Sequence, residues 1–146
     1  MFRRKLDQVE FLLVHPGGPF WKNKDEGAWT IPKGETEADE DLLARARTEF
    51  EEEIGITPAG NFAPRGSIKQ RGRKTVHAWA FEGDLPESFK LQSNTFQIEW
   101  PPRSGRFSQF PEIDRAEFFP EEIAQRKINP AQLAFLERLP AALESK

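Results

Sequence analysis

From about Val9 to His15 the chain is almost continuously apolar, and the run ends at Pro16-Gly17-Gly18-Pro19, which cannot continue a strand. A buried strand followed by a loop is predicted there. The loop, PFWKNKDEGAW, mixes Phe20, Trp21 and Trp29 with Lys22, Lys24 and Asp25, and it leads into a short strand at AWTIPKG. Asp39 to Ile54 contains neither proline nor glycine, is rich in helix formers, and is followed by Gly55 where a C-terminal cap belongs, which predicts a helix. RGSIKQ and TVHAWAFEG flank Arg71-Gly72-Arg73-Lys74, and the second run alternates Val76, Ala78 and Ala80 against Thr75, His77, Trp79 and Phe81, a strand-turn-strand signal. TFQIEW predicts a further strand, and PPRSGRFSQFP reads as a proline-bounded loop carrying Arg103 and Arg106, a length often functional in compact domains. AEFF predicts a last strand and EEIAQRKI a short helix. Asn129-Pro130 opens a final helix as N-cap and first-turn residue, with Leu133, Leu136 and Leu143 on its apolar side. This order of elements predicts an α/β fold with a mixed sheet covered by helices.

Within the first predicted helix, TEFEEEIG gathers Glu49, Glu51, Glu52 and Glu53. Carboxylates three and four positions apart lie side by side and repel. With Glu49 at zero, about 100° per residue puts Glu52 near ~300° and Glu53 near ~40°, whereas Glu51 near ~200° points away. Leu43, Ala46, Phe50 and Ile54 fall between roughly 60° and 140°, so an apolar stripe adjoins the carboxylate arc. Repulsion is larger beside a core than on a solvated face, and a hard divalent cation with oxygen ligands, magnesium or manganese, relieves it. On the helix alone, an acidic patch in water explains the run as readily as a metal site.

Composition narrows the chemistry. With 146 residues the chain fits one domain able to bury a core without staples. The absence of cysteine removes disulfides, thiolate catalysis and sulfur-ligated zinc, so a metal must take oxygen or histidine ligands. A net charge of −3 suggests neither a nucleic-acid-coating surface nor a membrane-binding one, and no nucleic-acid partner is expected. The start has only the four-residue apolar run Phe11 to Val14, too short for a signal core or a membrane span, and a cytoplasmic protein is expected.

The stretch GETEADEDLLARARTEFEEEIGI, residues 34–56, resembles the Nudix box of nucleoside-diphosphate-linked hydrolases. Gly34, Glu40, Glu49, Phe50, Glu52, Glu53, Gly55 and Ile56 occupy the pattern's fixed positions, with Phe50 standing for an aliphatic residue. Glu37 also matches, Asp39 replaces a frequent glycine, and Thr48 replaces the family arginine. The resemblance implies a single Nudix hydrolase domain over residues 1–146, an α/β/α sandwich with a mixed β-sheet between helices. It implies Mg2+- or Mn2+-dependent hydrolysis of a phosphoanhydride in a nucleoside triphosphate, dinucleoside polyphosphate or related small molecule. A nucleotide-sugar pyrophosphatase of the ADP-ribose type and a catalytically weak nucleotide- or metal-binding module are the alternatives. Carried over by position, Glu49, Glu52 and Glu53 become metal ligands, Lys33 or Gly34 adds a backbone carbonyl, and one carboxylate accepts the attacking water's proton.

Thr48 raises the question of what braces the glutamates. Arg45 projects near ~320°, between Glu49 and Glu52, either as the replacement charge or as an ordinary i to i+4 partner of Glu49, while Arg47 faces Glu51. Glu112, ahead of the last strand, sits where some Nudix enzymes place a further metal-binding or base glutamate, and a solvated loop residue is the competing reading; Glu99 is a weaker rival. WTIPKGE is similar to the subgroup acting on dinucleoside polyphosphates, which puts Lys33 against phosphate. KQRGRK, with Arg71, Arg73 and Lys74, either attracts a polyphosphate or forms a hydrophilic turn. Trp21 and Trp29 are candidate exposed stacking surfaces for a base, whereas Trp79 and Phe81 are expected in the core and His15 and His77 in structural roles.

Overall fold

A computed structural model of the chain describes residues 1–5, 8–32, 41–69, 75–91 and 93–144. At its centre β2 (Gln8–Pro16) pairs antiparallel with β1 (Phe2–Lys5) on one side and β7 (Ile113–Pro120) on the other, giving the order β1-β2-β7. Phe11 to Val14 is continuously apolar because both faces of β2 are covered. Leu12 and Val14 pack with Phe50 and Ile54 of α1 (Leu42–Ile54), and Phe11 and Leu13 pack on the opposite face with Ala124 of α2 (Glu121–Lys127) and Leu136 of α3 (Leu133–Glu144). Two cores back to back through one sheet make the expected α/β/α sandwich.

Two antiparallel hairpins complete the strands. β3 (Ala63–Lys69) pairs with β4 (Thr75–Ala80), and β5 (Thr95–Glu99) pairs with β6 (Phe107–Pro111). A parallel bridge, Phe2↔Glu82, ties the chain leaving β4 to β1, so parallel and antiparallel pairing are mixed.

Several expectations need correction. PPRSGRFSQFP is not a loop throughout, since Phe107–Pro111 forms β6 and only residues 100–106 turn. Arg103 and Gly105 take left-handed φ angles of 62° and 74°, and the Trp100 N–H donates to the Arg106 carbonyl at 2.9 Å. The prolines delimit the hairpin arm, where a missing N–H is harmless at a ladder end. β1 went unread because FRRK has one apolar residue in four; its partner strand supplies the pairing. In the described part of AWTIPKG, residues 28–32, there are only isolated bridges, Val14↔Thr30 and Trp29↔Ile128, because residues 27–31 are stitched between β2 and the end of α2. Trp29 is fully buried and not an exposed aromatic. Its indole N–H donates to Asp25 Oδ1 at 2.7 Å and its ring meets His15 and Phe119 edge-on.

The helix ends follow the sequence closely. Asp41 caps α1 by accepting from the Leu43 and Ala44 N–H groups, and Gly55 ends it at φ 84°. Asp39 and Glu40, the expected first residues of that helix, lie outside the described residues. Asn129 Oδ1 accepts from the Ala131 N–H at 2.9 Å, but it opens a 3-10 turn, Pro130–Gln132, that precedes α3.

Candidate active site

The apolar stripe of α1 seats on the sheet through Phe50 and Ile54, and this burial fixes the rotation of the helix. Glu49 and Glu53 are half-buried beside the stripe, whereas Glu51 and Glu52 are exposed. Glu49 and Glu53 therefore lie along the edge of the core, while Glu52, placed with them by the helical projection, is exposed like Glu51. Glu51 accepts from Thr57 Oγ1 at 3.1 Å and so helps hold the turn after the helix. Arg47 does not face Glu51, contrary to the projection: its guanidinium lies over the Phe62 ring, 5.0 Å from the centroid, where stacking is available. Thr48 Oγ1 donates to the Ala44 carbonyl at 3.1 Å, and Arg45 forms an ion pair with Glu49, whose side chain is only 13% exposed. The Arg45–Glu49 pair is the i to i+4 contact that both readings of Arg45 share.

Glu53 opens into a cleft of about 760 Å3, and Glu112 lines the same cleft. Trp21, Thr30, Asn129 and Pro130 complete much of its wall. Glu112 occupies the junction between β6 and β7, where its N–H donates to the Asn94 carbonyl and its own carbonyl accepts from the Gly17 N–H, both at 2.8 Å. That approach requires glycine, because a Cβ at Gly17 would lie 2.0 Å from the Pro111 carbonyl oxygen. The backbone of Glu112 is therefore held from two sides, with its carboxylate exposed at the cleft.

The loop carrying Trp21 is anchored by polar contacts. His15, fully buried, sets Nδ1 2.7 Å from Asp114 Oδ1 and Nε2 2.6 Å from the Lys24 carbonyl oxygen. Asp25 pairs with Lys127, and that hydrogen bond, followed by the one from the Trp29 indole, holds its carboxyl below the ordinary aspartate value. The Lys24 ammonium lies over the Trp21 indole, 5.0 Å from the ring centroid. Trp21 is thereby presented at the cleft on a braced segment, 39% exposed.

Three stretches far apart in sequence therefore meet, contributing Trp21, Glu53 and Glu112. Thr30 and Asn129 join them without a sequence signal for this role. Asn129 reads locally as a helix cap, and only the hydrogen bond from its N–H to the Trp29 carbonyl, 2.7 Å, brings it to the cleft. Lys33, Gly34, Glu40, Arg71, Arg73 and Lys74 lie outside the described residues. Trp79 is half-buried and lines an apolar cavity of about 100 Å3 with Arg47 and His77, while Phe81 is buried as expected.

Oxygen is the only donor type on the acidic wall of the cleft, which suits a hard divalent cation. Among the described residues no three acidic or histidine side chains already converge as a metal cage. A cation held by Glu53 and its neighbours on α1 would complete its coordination with water and substrate oxygens, the usual habit of magnesium.

Residues 2–139 match the NUDIX domain. No curated protein matches the sequence. Solved structures share the fold. The Caenorhabditis elegans Ap4A hydrolase in a binary complex superposes with a TM-score of 0.70 at 21% identity, covering 99% of this chain and 95% of that one. The NUDIX domain of Shewanella oneidensis NrtR complexed with ADP ribose gives 0.61 at 16% identity, over 97% and 82%. A mutT/nudix family protein from Listeria innocua gives 0.59 at 19% identity, over 99% and 89%.

Proposed function

The chain belongs to the NUDIX family, and on that premise we propose that it is a single-domain, divalent-metal-dependent pyrophosphohydrolase acting on a nucleotide with a polyphosphate chain. The observation that carries this reading is the meeting of Glu53 and Glu112 in one cleft with Trp21 at its rim. A bound magnesium or manganese ion supplies phosphate-charge neutralisation and a more acidic water. Glu49, Glu52 and Glu53 are assigned to holding it, with a backbone carbonyl from Lys33 or Gly34. Glu112, exposed and backbone-anchored, is assigned to accepting the proton of the water that attacks phosphorus. The Lys33 ammonium and the Arg71, Arg73 and Lys74 group meet the phosphates, and Trp21 stacks on a base. Dinucleoside polyphosphates and nucleoside triphosphates both fit this arrangement. The likeness to an Ap4A hydrolase structure favours the former, and the likeness to a domain complexed with ADP ribose makes nucleotide sugars the second reading.

The test is a turnover panel of these three substrate classes with magnesium or manganese, before and after chelation. Metal-dependent release of phosphate-bearing products from at least one class is expected. A flat panel would refute the enzyme reading, and metal-dependent thermal stabilisation without turnover would leave a binding module in its place.

Arg45 is the positioning residue for Glu49 in this scheme, standing in for the family arginine. Arg45→Ala is expected to lower turnover and metal affinity about tenfold, the usual size of an effect transmitted through a ligand's partner. Its stability change should be about 1 kcal/mol, above the value for a fully exposed i to i+4 pair because the Glu49 carboxylate is only 13% exposed. Titrating manganese activation in the variant checks this; an unchanged activation curve would leave Arg45 an ordinary surface partner.

A further inference from the structure

Among the described residues Gln132 and His15 are the two fully buried polar side chains, and the Gln132 amide is only half satisfied. Its Oε1 accepts from the Ile31 N–H at 3.0 Å, while its Nε2 has no hydrogen-bond partner among the described residues. A buried donor left unmet is destabilising, and an apolar side chain of similar size would occupy the space without that cost. What only the amide supplies here is an acceptor for Ile31.

The backbone around it shows why an acceptor is needed. Trp29 and Ile128 form a parallel bridge, in which the Trp29 N–H donates to the Lys127 carbonyl at 3.0 Å and the Asn129 N–H to the Trp29 carbonyl at 2.7 Å. The next rung of a parallel ladder would carry the Ile31 N–H to the Asn129 carbonyl. That carbonyl is instead drawn into the 3-10 turn, where it accepts the Gln132 N–H at 2.8 Å. The chain turns away at Pro130, and the Gln132 side chain reaches back to fill the missing rung. On its other edge the segment is held by Thr30, which exchanges both backbone hydrogen bonds with Val14, at 2.8 and 2.9 Å. Thr30 and Asn129 line the acidic cleft. Pro32 has no N–H, so the Ile31 N–H is the last main-chain donor before Lys33.

We propose that Gln132 is a positioning residue for the cleft: its Oε1 fixes residues 30–32, from which the chain runs on to Lys33 and Gly34. Resting on the function proposed above, which assigns those two residues a phosphate contact and a metal-binding carbonyl, this makes a buried amide a determinant of manganese and substrate affinity. Gln132 touches neither reactant and acts through Ile31.

The experiment measures manganese affinity by calorimetry, KM and kcat for the best substrate of the turnover panel, and exchange of the Ile31 amide by NMR. Wild-type protein, Gln132→Leu, Gln132→Glu and Val9→Ala are compared below their unfolding transitions. Gln132→Leu lacks the acceptor and should free the Ile31 amide to exchange. It should also weaken manganese binding and raise KM about tenfold each, the size of an effect transmitted through a ligand's support, with a smaller change in kcat. Gln132→Glu keeps an oxygen facing the Ile31 N–H and should restore most of both. Val9→Ala thins the core cluster against which Ile31 also packs, and should lower the unfolding midpoint with manganese affinity and KM unchanged. If Gln132→Leu does not fold, Gln132→Met, which keeps the length of the side chain, is read in its place. Unchanged manganese affinity beside a freely exchanging Ile31 amide overturns the proposal, as does an amide that stays protected or an equal loss of affinity in Val9→Ala. Wild-type protein that binds manganese without turnover removes the enzyme reading, and the manganese and exchange measurements then decide the role of Gln132 alone. Wild-type protein that binds no manganese overturns it.

Discussion

Glu53→Gln lowers turnover of the preferred substrate by roughly 10^2- to 10^4-fold, the range for removing a carboxylate that acts directly in proton transfer or charge stabilisation. The side chain is half-buried at the border between the α1 core stripe and the cleft, so glutamine fills the same space and keeps the packing of Phe50 and Ile54. What it loses is the negative charge. An amide oxygen is a weaker ligand for a hard cation and takes no proton, so the loss appears in kcat and in metal affinity more than in thermal stability. Glu51→Gln is the matched control, because Glu51 lies away from the cleft and accepts from Thr57. Steady-state kinetics across a manganese titration measures both variants. Equal kcat for wild type and Glu53→Gln would show that the cleft is not the reaction site.

His15→Phe destabilises the protein by about 2–4 kcal/mol and lowers the midpoint of thermal unfolding by roughly 5–10 °C. Phenylalanine preserves most of the ring volume against Trp29 but deletes both polar contacts, the one with Asp114 and the one with the Lys24 carbonyl. The site is fully buried on the histidine side, so the Lys24 carbonyl loses a partner that water cannot readily replace, while the partly exposed Asp114 is rehydrated. Because the Lys24 contact anchors the loop that presents Trp21, the same variant should raise KM more than it lowers kcat. Calorimetric unfolding with kinetics on the surviving protein checks both parts. A midpoint within a degree of wild type would mean that the buried histidine adds nothing beyond its shape.

The sandwich was legible where local pattern and tertiary environment agree. The unbroken run Phe11 to Val14 reports a strand covered on both faces, and the stripe Leu43, Ala46, Phe50, Ile54 reports which side of α1 meets it. The hairpin arm Phe107–Pro111 was less legible, because prolines at strand ends resemble loop boundaries, and β1 was silent because its pairing depends on its neighbour. Arg47 was misassigned because a helical projection ranks neighbours on the same helix and ignores Phe62 from another element.

The Arg45–Glu49 pair and the nearness of Glu49, Glu52 and Glu53 to one another follow from the sequence by itself, because contacts one turn apart on a helix are set by spacing alone and need no knowledge of the rest of the fold. Only the tertiary structure decided that Glu53 shares its cleft with Glu112 and Trp21, that Trp29 is core while Trp21 is rim, and that Phe20 reaches Trp100. Those relations depend on how β2, the Gly17–Gly18 crossing and the two hairpins close over long loops. Such closure is a property of packing between distant segments, which no local periodicity encodes.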